Sequence, residues 1–128
     1  MSHPSTTEVG QQLVALCNAG KNLEAIDTLY DEKVESVEAG EAGGDFPAVA
    51  EGIEAARAKN VWWYENHAIH ASTAAGPFRG LRDDQFAVLF EVDTTFKPTG
   101  ERQAMRELGL FTVVDGKVVR EEFLSPVS

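Results

Sequence analysis

Apolar residues recur every three or four positions through the first half of the chain, which is the period of an α-helix. Residues 5–8 (STTE) have the spacing of a capping box, and Val9, Leu13 and Leu16 follow on one face. This pattern predicts a first helix over residues 6–19. Residues 1–5 are expected to form a loose N-terminus.

Two further helices and a short strand are predicted before the pattern changes from helical spacing to strand alternation. Asn22 is placed to cap a second helix. The apolar face of that helix consists of Leu23, Ile26, Leu29 and Tyr30. Residues 34–38 alternate weakly and predict a strand, and the Gly-rich residues 39–47 predict the most mobile internal segment. Residues 48–65 are rich in alanine and predict a third helix that ends in an aromatic cluster.

The second half of the chain alternates between apolar and polar residues, which is the period of a β-strand. Turn-forming residues divide it into four predicted strands, over residues 68–75, 85–96, 103–114 and 117–124. The connections are too short for crossover helices, so these strands should pair as antiparallel neighbours, with the helices covering one face of the sheet. The predicted fold class is α+β.

Length and charge narrow the functions that the chain can have. Its 128 residues fit one domain. With 21 acidic and 11 basic residues the formal charge is -10, which repels nucleic acids and anionic membranes, so neither is expected as a partner. No apolar run is long enough for a membrane helix and the first residues lack secretory signal features, so we expect a cytoplasmic location. Cys17 is the single cysteine, which excludes an internal disulfide and predicts a buried, unreactive thiol.

Three glutamates lie among the apolar residues of the last two predicted strands. Glu107 lies between Met105 and Phe111, whereas Glu121 and Glu122 directly precede another phenylalanine. Burial of an unpaired carboxylate costs several kcal/mol and raises its pKa, so such residues are usually paired, exposed or used for chemistry. These glutamates are therefore the first candidates for a functional site.

The register of the last hairpin decides which glutamate points inward. A two-residue Asp-Gly turn places Glu122 on the same face as Glu107. A three-residue turn with a glycine bulge, which pairs Val113 with Lys117, places Glu121 there instead. Because the second arrangement gives the more coherent apolar face, we expect Glu121 inside and Glu122 outside.

The catalytic hypothesis is that Glu107, with Glu121 or Glu122, acts as general acid and base on an enolisable carbonyl compound or a similar small molecule. Two close carboxyl groups in an apolar site do not both ionise easily, so one would hold a proton near neutral pH and donate it. The structural alternative is that Glu107 forms an ion pair at the sheet surface or at a dimer interface. Its candidate partners are Arg102, Arg106 and Arg120.

Histidines and aromatic residues complete the candidate site. His67 and His70 are titratable, and His70 is a candidate for proton transfer at the mouth of a pocket. Three positions apart on a strand, the two histidines face opposite sides, so no metal site is expected. Large apolar side chains are expected to line the pocket and to stack on a flat ligand. These pocket residues are Tyr30, Trp62, Trp63, Phe86, Phe90, Met105, Phe111 and Phe123.

Four segments in the second half of the chain resemble the SnoaL-like family of the nuclear transport factor two and ketosteroid isomerase-like superfamily. They are residues 63–70 (WYENHAIH), 85–93 (QFAVLFEVD), 99–102 (TGER) and 114–123 (VDGKVVREEF). The order of the elements extends the resemblance to the rest of the chain. It implies three N-terminal helices packed in the concave face of a curved, mostly antiparallel β-sheet, which is a cone-shaped α+β barrel formed as a single domain.

The resemblance also implies a mostly apolar pocket and a homodimer that pairs through the outer face of the sheet. Some members isomerise, cyclise or dehydrate small molecules without a cofactor, and others only bind. The chain departs from ketosteroid isomerase, which has a tyrosine on the first helix, and from the SnoaL-like cyclases, which have an aspartate near the last strand. We therefore expect a cofactor-independent proton-transfer enzyme acting on a small, largely apolar molecule, or alternatively a non-catalytic ligand-binding or dimerisation module on the same fold.

Overall fold

One curved six-stranded sheet and three helices make up the computed structural model, which describes residues 2–40 and 45–127. The helices are α1 (Thr6–Asn18), α2 (Asn22–Leu29) and α3 (Ile53–Asn66). The strands are β1 (Tyr30–Val37), β2 (Val49–Glu51), β3 (His67–Phe78), β4 (Gln85–Phe96), β5 (Glu101–Val114) and β6 (Lys117–Leu124). The sheet order is β2-β1-β6-β5-β4-β3, and the predicted α+β class is confirmed.

Helix α1 begins at the capping box that the sequence predicts. The hydroxyl of Ser5 accepts a hydrogen bond from the amide of Glu8 at 3.1 Å, and the Glu8 carboxylate accepts one from the amide of Ser5 at 3.0 Å. The sequence predicts a loose terminus that includes Ser5, but these bonds fix this residue to the helix. The buried face of α1 includes Val9 and Leu13, which join the core.

The start of β1 differs from the prediction. Lys21, not Asn22, is the residue before α2, and it makes no side-chain cap bond. Tyr30, predicted as the last member of the α2 apolar face, has extended backbone angles and begins β1. The reason is tertiary: Tyr30 pairs with Val118 of β6, and strand pairing overrides the helical spacing of the side chain.

The segment before α3 also differs from the prediction. Residues 49–51 form the short strand β2, which pairs with the end of β1, and the third helix begins at Ile53 rather than at residue 48. Gly52 separates the two elements with a φ of 94°, a left-handed conformation that glycine adopts without strain. Residues 41–44, which belong to the segment predicted as mobile, lie outside the described residues.

Strands β3 to β6 pair as antiparallel neighbours, as predicted. Sequence patterns do not predict that β1 joins the sheet in parallel with β6, where Ser36 lies opposite Glu121. This pairing brings the N-terminal and C-terminal parts of the chain together on the concave face. Among the described residues, none of the helices is long and apolar enough to cross a bilayer.

The β5–β6 hairpin combines features of both predicted registers. The turn has two residues, so Val113 pairs with Val118, and the predicted pairing of Val113 with Lys117 is wrong. One extra residue, Val119, then enters β6 and shifts the register. Glu121 therefore faces inward as expected, but the shift lies within the strand and not at the turn.

Candidate functional site

A cavity of about 570 Å³ lies between the helices and the concave face of the sheet. All of the predicted pocket residues except one are on its wall. They are Tyr30, Trp62, Trp63, Phe90, Met105, Phe111 and Phe123. The exception is Phe86, which is buried behind the wall and stacks on Phe111 with a ring-centroid distance of 5.0 Å. Phe86 therefore supports the cavity and does not line it.

Glu121 is a buried carboxyl group held by two hydroxyl groups. It is 2% exposed, and it accepts hydrogen bonds from the Tyr30 hydroxyl and, at 2.6 Å, from the Ser36 hydroxyl. Burial raises the pKa of Glu121, and both hydrogen bonds oppose that rise because they stabilise the charged form. Burial and the neighbouring Glu121 also raise the pKa of Tyr30, so the phenol keeps its proton and donates it to this bond.

Lys59 connects helix α3 to this carboxyl group. Its ammonium donates to the Ser36 hydroxyl at 2.6 Å and lies 2.8 Å from the Glu38 carboxylate. Lys59 is only 6% exposed, and a buried ammonium requires such partners because desolvation of its charge is costly. Lys59 and Glu38 both lie on the cavity wall.

Sequence reasoning missed Lys59, Ser36 and Glu38. A signal for the lysine was present, since Lys59 follows Ala56 by three positions and precedes Trp63 by four on the predicted helix. That spacing places it on the apolar face, where a lone charge is unusual. Ser36 and Glu38 carried no comparable signal, because their position depends on the parallel pairing of β1 with β6.

Glu107 also lies on the cavity wall, but its carboxyl group is not held by hydrogen bonds from the described residues as that of Glu121 is. Within the part of the chain that the structure describes, its carboxyl group has no hydrogen-bond or ion-pair partner. Burial, followed by the charges of Glu38 and Glu121, raises the pKa of Glu107 to about 7, and Lys59 acts in the opposite direction. Glu107 is therefore poised to gain or lose a proton near neutral pH.

The ion pairs considered as an alternative for Glu107 are not formed. Arg102 binds Asp93, with a distance of 2.8 Å between Nη2 and Oδ2. Arg120 lies 2.9 Å from Glu122 and 2.9 Å from Glu35. Arg106 is exposed and pairs in register with Glu91 on the convex face of the sheet. The three arginines therefore belong to the opposite face from Glu107.

Two candidate catalytic residues lie away from the cavity. Glu122 is on the convex face, where its carboxylate accepts a hydrogen bond from Arg120 at 2.9 Å. His70 is exposed, and its Nε2 lies 2.8 Å from the Thr95 hydroxyl. These positions remove both residues from direct contact with a ligand in the cavity.

His67 is the histidine on the cavity wall. Its ring stacks on Trp63 with a centroid distance of 4.1 Å, and its Nδ1 lies 2.7 Å from the Trp63 carbonyl oxygen. The two histidines thus face opposite sides of β3, as their spacing predicts. His70 is the candidate predicted at the pocket mouth, but the structure places His67 on the cavity wall and His70 on the other side of the strand. Alternation along a strand does not show which side of the sheet is concave.

Comparison with known proteins agrees with this arrangement of helices, sheet and cavity. Residues 4–125 match the family model for the SnoaL-like domain. The chain belongs to the SnoaL-like family. The resemblance seen in the sequence is thereby confirmed, and it extends over the helical half of the chain as well. Among curated proteins, none matches this SnoaL-like chain in sequence.

Three solved structures illustrate the relationship. A candidate SnoaL-like polyketide cyclase from Mesorhizobium loti is 39% identical over 94% of this chain and 99% of its own, with a TM-score of 0.85. A candidate isomerase from Bacillus subtilis is 18% identical over 92% of this chain and 84% of its own, with a TM-score of 0.72. TerC, co-crystallised with polyporic acid, is 16% identical over 94% of this chain and 91% of its own, with a TM-score of 0.70. The latter two show the shared fold alone.

Replacing Tyr30 with Phe in this SnoaL-like protein should lower the free energy of unfolding by about 1–3 kcal/mol, because a buried carboxyl group loses a hydrogen bond. The loss should be larger at pH 9 than at pH 5, since the bond stabilises the charged form of Glu121. Urea unfolding at the two pH values measures it. Tyr64→Phe is the matched control, because Tyr64 also lies on the cavity wall. Equal losses in both variants would contradict the role of Tyr30.

Replacing Glu107 with Gln should leave stability unchanged at pH 4 and raise it at pH 8 by about 3 kcal/mol. The folded-state pKa of about 7 lies above the ordinary value of 4.5, so ionisation of Glu107 costs the wild-type protein stability as the pH rises between these values, and the Gln variant lacks this contribution. Thermal unfolding across this range measures the difference. Glu122→Gln should show no such gain, and destabilisation by Glu107→Gln at pH 8 would indicate a structural carboxylate.

Proposed function

We propose that this SnoaL-like protein is a cofactor-independent enzyme that moves a proton on a small, largely apolar molecule in the cavity. The observation that carries the proposal is the state of Glu107. It is a cavity-wall carboxyl group without a protein partner among the described residues, and its pKa is raised to about 7. A general acid-base group is most effective when its pKa lies near the working pH.

Glu107 and Glu121 have different roles in this proposal. Glu121 is fixed by Tyr30 and Ser36, so it cannot turn towards a ligand without breaking two hydrogen bonds. Its charge raises the pKa of Glu107, which makes it a positioning and electrostatic partner. Glu107 is the group that removes a proton from the ligand and returns it at a second position. Isomerisation, cyclisation and dehydration all include such a step.

The cavity wall supports a flat, apolar ligand. Trp63 and His67 stack with an interplanar angle of 12°, and Phe96 contacts the histidine at a centroid distance of 5.1 Å. Flat ring systems bind well against aromatic side chains on a cavity wall. The co-crystallisation of TerC with polyporic acid, and the cyclase assignment of the relative from Mesorhizobium loti, support a small-molecule ligand.

The second candidate function is ligand binding without catalysis. It is favoured by the aromatic part of the wall, which would hold a flat molecule whether or not Glu107 reacts with it. Binding and catalysis are separated by one measurement, the exchange of carbon-bound hydrogen with solvent. A protein that only binds would leave that exchange at its rate in buffer.

We also propose that the protein forms a homodimer through the convex face of the sheet. Apolar side chains lie side by side across four strands there. The aligned residues are Phe78, Ala87 and Leu110 in one row, and Ala75, Leu89, Leu108 and Leu124 in the next. Phe78 is 53% exposed and Leu124 is 44% exposed, so the rows form an uncovered patch. A second copy, related by a twofold axis, would cover the patch with an identical one.

The wild-type protein should exchange the acetyl hydrogens of 2-acetylnaphthalene, a flat and apolar ketone, for deuterium in heavy water faster than buffer alone. Glu107→Gln should reduce the enzymatic rate by about 100-fold or more, because general acid-base catalysis has that magnitude. Proton NMR of the acetyl signal measures the rate. Glu122→Gln is the control and should keep the wild-type rate. A wild-type rate equal to that of buffer, or a wild-type rate retained in Glu107→Gln, would reject the catalytic proposal.

Leu108→Lys should convert the proposed dimer into monomers of 13.9 kDa, because it places a charge in the middle of the apolar patch. Light scattering coupled to size-exclusion chromatography measures the mass. Leu81→Lys makes the same change at a fully exposed loop position and should leave the dimer intact. If the wild-type protein is already a monomer at micromolar concentration, the dimer proposal fails.

A further inference from the structure

Lys59 has one N–H group with no acceptor among residues 2–40 and 45–127. An ammonium group carries three donors. Two of them are taken by the Ser36 hydroxyl at 2.6 Å and the Glu38 carboxylate at 2.8 Å. In the described part of the chain Lys59 has no other hydrogen-bond acceptor, and the nearby Phe123 ring, 5.9 Å from Nζ, attracts the charge without accepting a bond. Because Lys59 lies on the cavity wall, the third donor is available to a ligand oxygen.

Lys59 also lies within electrostatic range of Glu107. Lys59, Glu38 and Glu107 all lie on the wall of the same cavity, where the ammonium lowers the pKa of Glu107 and Glu38 raises it. A positively charged hydrogen-bond donor and a carboxyl group that exchanges protons thus both line the same cavity. This is the arrangement that a reaction needs when a proton leaves carbon and negative charge appears on a nearby oxygen.

We propose that Lys59 binds the carbonyl oxygen of the substrate and stabilises the negative charge that develops there when Glu107 removes a proton from the adjacent carbon. This inference rests on the proposed function and names its substrate class, which is an enolisable ketone or aldehyde with a flat apolar body. Lys59 is then a catalytic residue of this site.

The step balances without a further reactant. The carbon–hydrogen bond breaks, its proton goes to the Glu107 carboxylate, and its electron pair forms a carbon–carbon double bond. The π pair of the carbonyl group moves to the oxygen, which becomes an enolate oxygen bound by Lys59. In a simple ketone Glu107 returns the proton to the same carbon and the carbonyl group re-forms. Where a carbon–carbon double bond adjoins the carbon that loses the proton, the enolate is a conjugated dienolate. Glu107 then returns the proton to the far carbon of that system, the oxygen electron pair re-forms the carbonyl group, and the carbon–carbon double bond has moved.

The charges on the wall favour a neutral carbonyl compound over a carboxylate ligand. Glu38 neutralises Lys59 at 2.8 Å, and Glu107 and Glu121 are acidic, so a ligand that is already an anion would be repelled. A carbonyl group gains its charge only as the proton leaves. The interaction with Lys59 is therefore stronger in the transition state than in the ground state, which is the condition for catalysis.

The test compares the affinities of 2-acetylnaphthalene and 2-ethylnaphthalene by equilibrium dialysis. The two molecules have similar shapes, but only the ketone has an oxygen, and that oxygen can only accept a hydrogen bond. The ratio of the two affinities thus reports the contribution of the oxygen and is insensitive to apolar packing. Lys59→Met should lower the ratio by about tenfold, which is the size expected for a hydrogen bond to a charged donor.

Two further variants separate oxygen binding from a structural role. Lys33→Met removes the same charge from an exposed position on β1 and should leave the ratio unchanged. Glu38→Gln frees the ammonium from its competing carboxylate and should raise the ratio. If Lys59 had only a structural role, Lys59→Met and Glu38→Gln would both break the same ion pair and would change the affinity ratio in the same direction. A fall in the ratio for Lys59→Met together with a rise for Glu38→Gln is specific to the proposal.

An unchanged ratio in Lys59→Met overturns the inference, and so does a wild-type protein that binds neither molecule. If Lys59→Met does not fold, as judged by circular dichroism, the inference is tested with Glu38→Gln instead. An affinity ratio that falls or stays constant in Glu38→Gln also overturns the inference. These equilibrium ratios are independent of the deuterium exchange rate. A failure of the proton-transfer proposal and a failure of the role of Lys59 are therefore seen in different measurements.

Discussion

The parallel pairing of β1 with β6 is the constraint on which the site depends, because it satisfies a carboxyl group that would otherwise be buried alone. Ser36 lies directly opposite Glu121 in this pairing, and Tyr30 reaches the same carboxyl group from the start of β1. An unsatisfied buried carboxyl group costs several kcal/mol, so neither strand can be moved without a large loss. Lys59 then attaches helix α3 to the pair through Ser36.

Two glutamates of the same hairpin thus have opposite roles because their surroundings differ. Glu121 is held by hydroxyl groups and is rigid, whereas Glu107 contacts the open volume of the cavity. Burial raises the pKa of both groups, but hydrogen bonds oppose the rise at Glu121 and repulsion from neighbouring carboxylates adds to it at Glu107. The fold therefore separates a structural acid from a titratable one within a single apolar site, as environment rather than residue type determines such behaviour.

Local sequence pattern is enough to predict much of the fold, but not the contacts between segments far apart in the chain. Periodicity and turn residues are enough to predict the capping box at Ser5, the four later strands and most of the aromatic residues on the cavity wall. Tyr30 has helical spacing and yet begins a strand, and the role of Ser36 exists only once β1 lies beside β6. Alternation correctly separates Glu121 from Glu122 and His67 from His70, but the concave side is decided by the curvature of the whole sheet.

The additional residue at position 119 makes residue-by-residue comparison within the family misleading in this strand. A relative without a residue there would have an uninterrupted ladder and would still place its acid opposite Phe111, since Val113 pairs with Val118 and Thr112 with Arg120 on either side of the extra residue. A relative of equal length that lacked the irregularity would instead turn the residue at position 120 towards the cavity. A one-residue gap at this point of a sequence alignment is therefore compatible with a conserved cavity, whereas an ungapped alignment does not prove that the cavity is conserved. Functional divergence on this scaffold can thus arise from the path of the backbone, without any substitution at the site itself.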